Sequence, residues 1–519
     1  MADQPPLIRA LQDPAAYPHV VAAVELVETH LSWVLLTGQF AYKIKKPVRL
    51  DFVDFSTLER RREACRDELR LNRRFAPQIY LDVVAISGSP LQPVFGKADE
   101  TGVPVEYAVK MVQFPSAARL DRVLAGGQFQ PADCDRLAAL VAVSHRCAAV
   151  AASDTPFGNP TTIAKHVRDV LNTAVDQTRG GPDAELVSAL RLWMEGECER
   201  LTPAFETRKA DGWVRECHGD LHSENIAILE GEPVPFDCLE FREDLRWIDC
   251  ASDVAFVTMD LSDRGYSQFA NRLLNAYIEL TGDLAALDVL RFYQAYRAVV
   301  RAVVATLQCP ANELAPGRIT ERARTYLGLA EQYSRPGRPT LIITHGLSGT
   351  GKSTVTQELL EQLGTIRLRS DVERGRRDGV GTGTEKPQHP VDRYTQAARQ
   401  AVYDELLRKA EIGLAAGYSI IVDATFLRRG HRDAFRRLTE RRNVTFVILV
   451  FDADPATLRQ RIEERQQGGR DASEATIAVL EKQLAERESL RGDECDFVIT
   501  VHGGDVGPAK RRLSEIVRL

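Results

Sequence analysis

Leu341-Ile342-Ile343-Thr344-His345-Gly346-Leu347-Ser348-Gly349-Thr350-Gly351-Lys352-Ser353-Thr354 decides the fold of the C-terminal part of the chain. Its first four residues are apolar or β-branched without polar alternation, the pattern of a strand buried on both faces. They run directly into Gly-x4-Gly-Lys-Ser, which opens a helix. Glycines let successive backbone N–H groups turn toward phosphate oxygens, and the helix N-terminus favours the anion. The lysine reaches the outer phosphates and the serine hydroxyl suits magnesium. Gly346, Ser348, Gly349, Thr350, Gly351, Lys352, Ser353 and Thr354 are therefore candidate nucleotide contacts, and Ser353 is also a candidate metal ligand.

Strands and helices alternate outward from this loop. Strands are expected at 340–345, 365–368, 418–423, 444–451 and 496–501. Helices are expected at 352–362, 391–416, 430–440, 455–466 and 473–490. Such alternation means an α/β domain with a mostly parallel sheet. Asp423 ends the apolar strand Ser419-Ile420-Ile421-Val422 at the sheet's carboxyl edge, the place for a magnesium ligand or for an ordinary helix or turn cap. Asp371, after Arg369-Ser370, either takes a proton from an acceptor hydroxyl or caps a helix; Arg374 follows one turn later, placed to hold a phosphate. Arg459, Arg461, Arg465 and Arg470 form either a solvated face or a lid over the nucleotide, with Arg465 the candidate contact.

Upstream, Ser334-Arg335-Pro336-Gly337-Arg338-Pro339 is a linker, since two prolines and a glycine stop any helix. It divides the chain into domains at 1–333 and 340–519. The first is α+β. Residues 1 to about 20 read as a loosely structured lead, followed by three short strands over 24–45, a helix over 56–74 and two further strands. From Pro131 onward, Ala- and Leu-rich helices dominate. A strand–loop–strand segment interrupts them with His218-Gly219-Asp220-Leu221-His222-Ser223-Glu224-Asn225 and then Pro235-Phe236-Asp237. An acid, an amide five residues on and a second acid after a short hairpin are what phosphoryl transfer requires. One carboxylate orients and deprotonates the acceptor, while an amide oxygen and a carboxylate hold magnesium. A metal site through His218, His222 and Asp220 is the alternative.

Bulk properties agree with a two-domain enzyme. At 519 residues the chain exceeds one core, and its net charge of -6 argues against coating nucleic acid. The nine cysteines show no CxxC pairing, so scattered reduced thiols are expected and neither a disulfide scaffold nor a zinc site. No signal pattern or membrane span is evident, and a cytoplasmic location is the expectation.

The motifs over 340–519 resemble the small P-loop kinases of the polynucleotide-kinase and zeta-toxin type. That resemblance implies γ-phosphoryl transfer to a hydroxyl, with Asp371 as base and Arg374 as clamp. No arginine–aromatic platform for bases is evident, so a nucleic-acid acceptor is not supported. Residues 20–330 resemble the aminoglycoside-phosphotransferase branch of the bilobal protein-kinase-like fold. The resemblance implies Asp220 as base, Asn225 and Asp237 as magnesium ligands, Lys43 on the phosphates and Glu68 orienting that lysine. Lys45 shares the face of Lys43 and competes for its role. Thr29-His30-Leu31-Ser32 replaces the glycine-rich phosphate-covering loop. The expectation is a bifunctional phosphotransferase using ATP and Mg2+ on small-molecule hydroxyl acceptors. The rivals are one active P-loop kinase with a nucleotide-sensing first domain, or a non-catalytic ATP-gated switch.

Overall fold

Hydrophobic alternation in the N-terminal strands produces a sheet with two unlike faces. The computed structural model describes residues 4–50, 53–96, 103–310, 314–335, 337–377, 395–468, 477–502 and 507–518. It divides into two compact units: Met1–His166 with Phe205–Asp260, and Val167–Ala204 with Leu261–Leu519.

In the first unit six antiparallel strands lie in the order Glu25–Glu28, Ser32–Leu36, Phe40–Lys45, Pro104–Val112, Tyr80–Ser89 and Gln92–Gly96. Along Phe40–Lys45 the period of two puts Tyr42 and Ile44 in a cluster with Trp33, Leu35 and Phe95. Lys43 and Lys45 take the opposite face and meet the helix Leu58–Asn72. The expected loose lead is instead part of the core. Pro6–Ala10 is a short helix, and Ile8, Leu11 and Tyr17 are buried against the first face. Three anchors spaced among prolines leave no period for the sequence to reveal.

The same unit carries the helix Pro131–Cys147, the hairpin Ile226–Leu229 with Glu232–Pro235, and the antiparallel pair Val214–Glu216 with Trp247–Asp249. The helix Cys250–Asp263 follows. The sequence gives no amphipathic stripe there because the helix is buried all round, with Val254, Ala255, Phe256, Val257 and Met259 at most 1% exposed.

The second unit holds five parallel strands in the order Ile366–Arg369, Ile420–Asp423, Thr340–His345, Thr445–Asp452 and Val498–His502. The expected strand boundaries differ from these by two residues at most. A helix ends at Ser334 and the first parallel strand starts at Thr340, on either side of the proline-rich segment. Helices from earlier in the chain, among them Ser267–Thr281 and Ala286–Leu307, belong to this unit. Asn275 on the first of them donates to Thr365 O at 3.0 Å and accepts from Arg367 N at 2.8 Å. Its amide thereby continues the ladder of the edge strand Ile366–Arg369 and covers an edge that would otherwise be open to pairing. Among the described residues, no helix is long and apolar enough to cross a membrane.

Candidate functional site

Two constellations form, one in each unit. In the first, Lys43 Nζ lies 2.8 Å from Glu68 Oε1 and 2.5 Å from Asp237 Oδ1. Lys45 Nζ lies 2.5 Å from Glu68 Oε2 and also pairs with Glu240. Burial works against ionisation of Glu68, but the two ammonium groups overcome it and hold its carboxyl down to about 2. Burial likewise opposes the charge on Lys43, and Asp237 and Glu68 keep it well above the ordinary lysine range. Lys45 is 1% exposed and Lys43 13%. Of the two competing lysines, Lys43 is thus the one with an open side and contact to Asp237. Lys45 is enclosed between two acids. Glu240, together with Glu68, is the partner that encloses it.

The loop after Val214–Glu216 is held from below. Asp253, on the buried helix Cys250–Asp263, accepts from His218 N at 2.8 Å and Gly219 N at 3.0 Å. Gly219 has φ +84°, and a Cβ there would sit 3.0 Å from Leu245 O. Only glycine suits both demands. His218 is fully buried and its pKa is lowered by burial. Its Nε2 is 3.0 Å from Phe236 O and its Nδ1 accepts from Asp220 N at 3.3 Å, which assigns the Nε2–H tautomer. Both ring nitrogens are engaged in bracing the loop. Asn225 Nδ2 donates to Asp220 Oδ2 at 2.8 Å, and Asn225 O accepts from Phe236 N at 2.9 Å. That ladder bond brings Asp237, itself at φ +61°, beside the amide. Asp220 and Asp237 side chains are 38% and 42% exposed, so both carboxylates are open to an incoming group. The place of a phosphate-covering loop is taken by a tight turn. Thr29 N donates to Ser32 O at 2.9 Å and Ser32 N to Thr29 Oγ1 at 3.0 Å.

In the second unit Gly349 and Gly351 take φ of +86° and +89°, turning the backbone between Thr340–His345 and the helix Lys352–Leu363. Lys352 Nζ, folded back into that loop, donates to Gly346 O at 3.1 Å and Leu347 O at 2.7 Å. Asp423 accepts from Thr356 Oγ1 at 3.1 Å at the strand end. Arg374 Nη1 donates to Asp371 Oδ1 at 3.0 Å. One cavity is lined by Lys352, Ser353, Asp371, Arg374 and Asp423 together. Ser348, Gly349, Gly351 and Thr354 border it as well, whereas Gly346 and Thr350 lie within the loop behind. Sequence reasoning missed Gln483, whose Oε1 accepts from Ser348 N at 2.9 Å and whose Nε2 donates to Ser348 Oγ at 2.9 Å. Of the arginine cluster, Arg461 Nη1 donates to Gly349 O at 3.4 Å, while Arg459 pairs with Glu481 at 2.7 Å. Arg465 is on the helix Pro455–Gly468, but its side chain, like all of Arg470, lies outside the described residues.

The model of the phosphotransferase enzyme family matches residues 55–293, and that of an AAA domain matches 341–490. An uncharacterized protein of Mycobacterium tuberculosis is 31% identical over 465 residues, covering 89% of this chain and 90% of that protein. The chain belongs to the same family as that mycobacterial protein. The two family matches fall in separate halves of the chain, which is accordingly a phosphotransferase-like protein of two kinase-type folds. Among solved structures, a choline/ethanolamine kinase family protein from Mesorhizobium loti is 13% identical, covers 63% of this chain and 94% of its own, and has a TM-score of 0.38. A gluconokinase from Sinorhizobium meliloti 1021 is 19% identical, covers 36% and 91%, and has a TM-score of 0.24.

Proposed function

We propose that the chain is a bifunctional ATP-dependent phosphotransferase, with one kinase in residues 1–333 and a second in 340–519. Each transfers the γ-phosphoryl group of Mg-ATP to a hydroxyl of a small molecule. The observation that carries the reading is that each constellation gathers a carboxylate, a cation and hard oxygen ligands at one place. In the first, Asp220 orients the acceptor hydroxyl and takes its proton. Asn225 and Asp237 offer the oxygens for magnesium. Lys43, fixed by Glu68, supplies the ammonium for the nucleotide phosphates. In the second, Lys352 and the turned backbone of 346–351 hold the phosphates, while Ser353 and Asp423 offer metal ligands. Asp371 is the base and Arg374 the clamp. Ammonium groups, backbone N–H groups and oxygen donors fit a triphosphate with a hard cation. Magnesium, when bound, neutralises phosphate charge.

A second reading confines turnover to 340–519 and makes the first domain a nucleotide sensor. The tight turn at Thr29–Ser32, in place of a covering loop, favours it. ATP consumption by Asp220→Ala, Lys352→Ala and the double variant separates the two. Residual turnover in each single variant with none in the double supports two working sites. Loss of all turnover on Lys352→Ala alone supports the sensor.

A further inference from the structure

The nine cysteines do not read as a metal site along the sequence, yet three elements far apart in the chain bring two of them to one histidine. His145 ends the helix Pro131–Cys147, Cys217 precedes the His218-Gly219-Asp220 loop, and Cys250 begins the helix Cys250–Asp263. Their ligand atoms all lie within 4.8 Å of one another, and the two sulfurs are 4.0 Å apart. All three side chains are buried, with 3%, 1% and 0% exposure. Two sulfurs about 2.3 Å from a tetrahedral zinc stand about 3.8 Å apart, close to the separation present here.

We propose that His145, Cys217 and Cys250 bind one Zn2+ ion, which acts as a structural brace beneath the catalytic loop of the first domain. The chemistry of the donors selects a thiophilic ion: two thiolates and an imidazole suit zinc and do not suit magnesium or calcium. Asp253 lies 3.5 Å from His145 Nε2, giving the imidazole the carboxylate partner that metal-bound histidines commonly have. The same carboxylate accepts from His218 N and Gly219 N, so the ion and the loop share one support. On binding, zinc replaces the ionisable protons of this cluster, which leave to solvent.

The test uses the full-length chain without a histidine tag. Elemental analysis should find about one zinc per chain. After chelation and anaerobic titration with Co2+ alone, thiolate-to-cobalt charge transfer and tetrahedral ligand-field bands should appear and saturate at about one equivalent. Cys217→Ser and Cys250→Ser should each abolish those bands, and Cys147→Ser, at an exposed thiol, should keep them. The unaltered chain makes the cobalt readout independent of whether a variant folds. No cobalt–thiolate absorption in the chelated chain, or bands that survive in both folded serine variants, would overturn the proposal.

Discussion

Lys43 and Lys45 sit two residues apart on one strand face and compete for one glutamate, yet their surroundings differ enough to separate their roles. Lys43 faces Asp237 and keeps partial exposure, and Glu68 retains Lys45 without it, so Lys43→Met is expected to weaken nucleotide binding to the first domain with little change in stability. Lys45 is enclosed by Glu68 and Glu240. Lys45→Met strands a buried carboxylate, at an expected cost of about 3–5 kcal/mol in chemical denaturation. If both variants lose stability equally while nucleotide affinity is unchanged, the assignment of Lys43 to the phosphates is wrong. Asp220 belongs to the same scale. In a Lys352→Ala background, Asp220→Asn should lower the remaining phosphoryl transfer by about 10²–10⁴-fold, the usual worth of a positioned base. An unchanged rate would remove Asp220 from the chemistry.

At the scale of elements, the strand Thr340–His345 ends in a buried histidine whose ring Nδ1 is 3.1 Å from Phe426 O. Burial lowers the His345 pKa from 6.5 to about 4. The fold therefore keeps the neutral ring while the unfolded chain takes up a proton first. The stabilisation is complete above pH 6.5 and lost as pH falls toward about 4, a swing of about 3 kcal/mol. Unfolding midpoints measured over that range should fall for the parent and change less for His345→Gln; parallel curves would contradict it. Asn275 makes a second prediction for an element. Asn275→Ala leaves the edge groups of Thr365 and Arg367 unpaired and should cost about 1–3 kcal/mol. The parallel sheet and the phosphate loop were legible because their signals are contiguous: an apolar strand, fixed glycine spacing and a helix start. Glu240, Gln483 and Asn275 were not, because each acts on a partner 90 or more residues away that local spacing cannot indicate. The buried helix Cys250–Asp263 was hidden for another reason, since burial on every side erases the stripe that announces a helix.

At the scale of the molecule, the proline-rich segment at 334–339 separates two sets of phosphate-handling residues in sequence. The compact units divide the chain elsewhere, and helices such as Ser267–Thr281 share a unit with the parallel sheet. Glu279 on that helix lies 3.1 Å from Arg369, next to the helix Ser370–Arg377 that bears Asp371 and Arg374. The central claim is that each half takes its own nucleotide. Calorimetric titration of the intact chain with a non-hydrolysable ATP analogue and excess magnesium tests it most directly. The account predicts saturation at two equivalents, falling to one in Lys352→Ala. Saturation of the parent at one equivalent, with none left in Lys352→Ala, would contradict it.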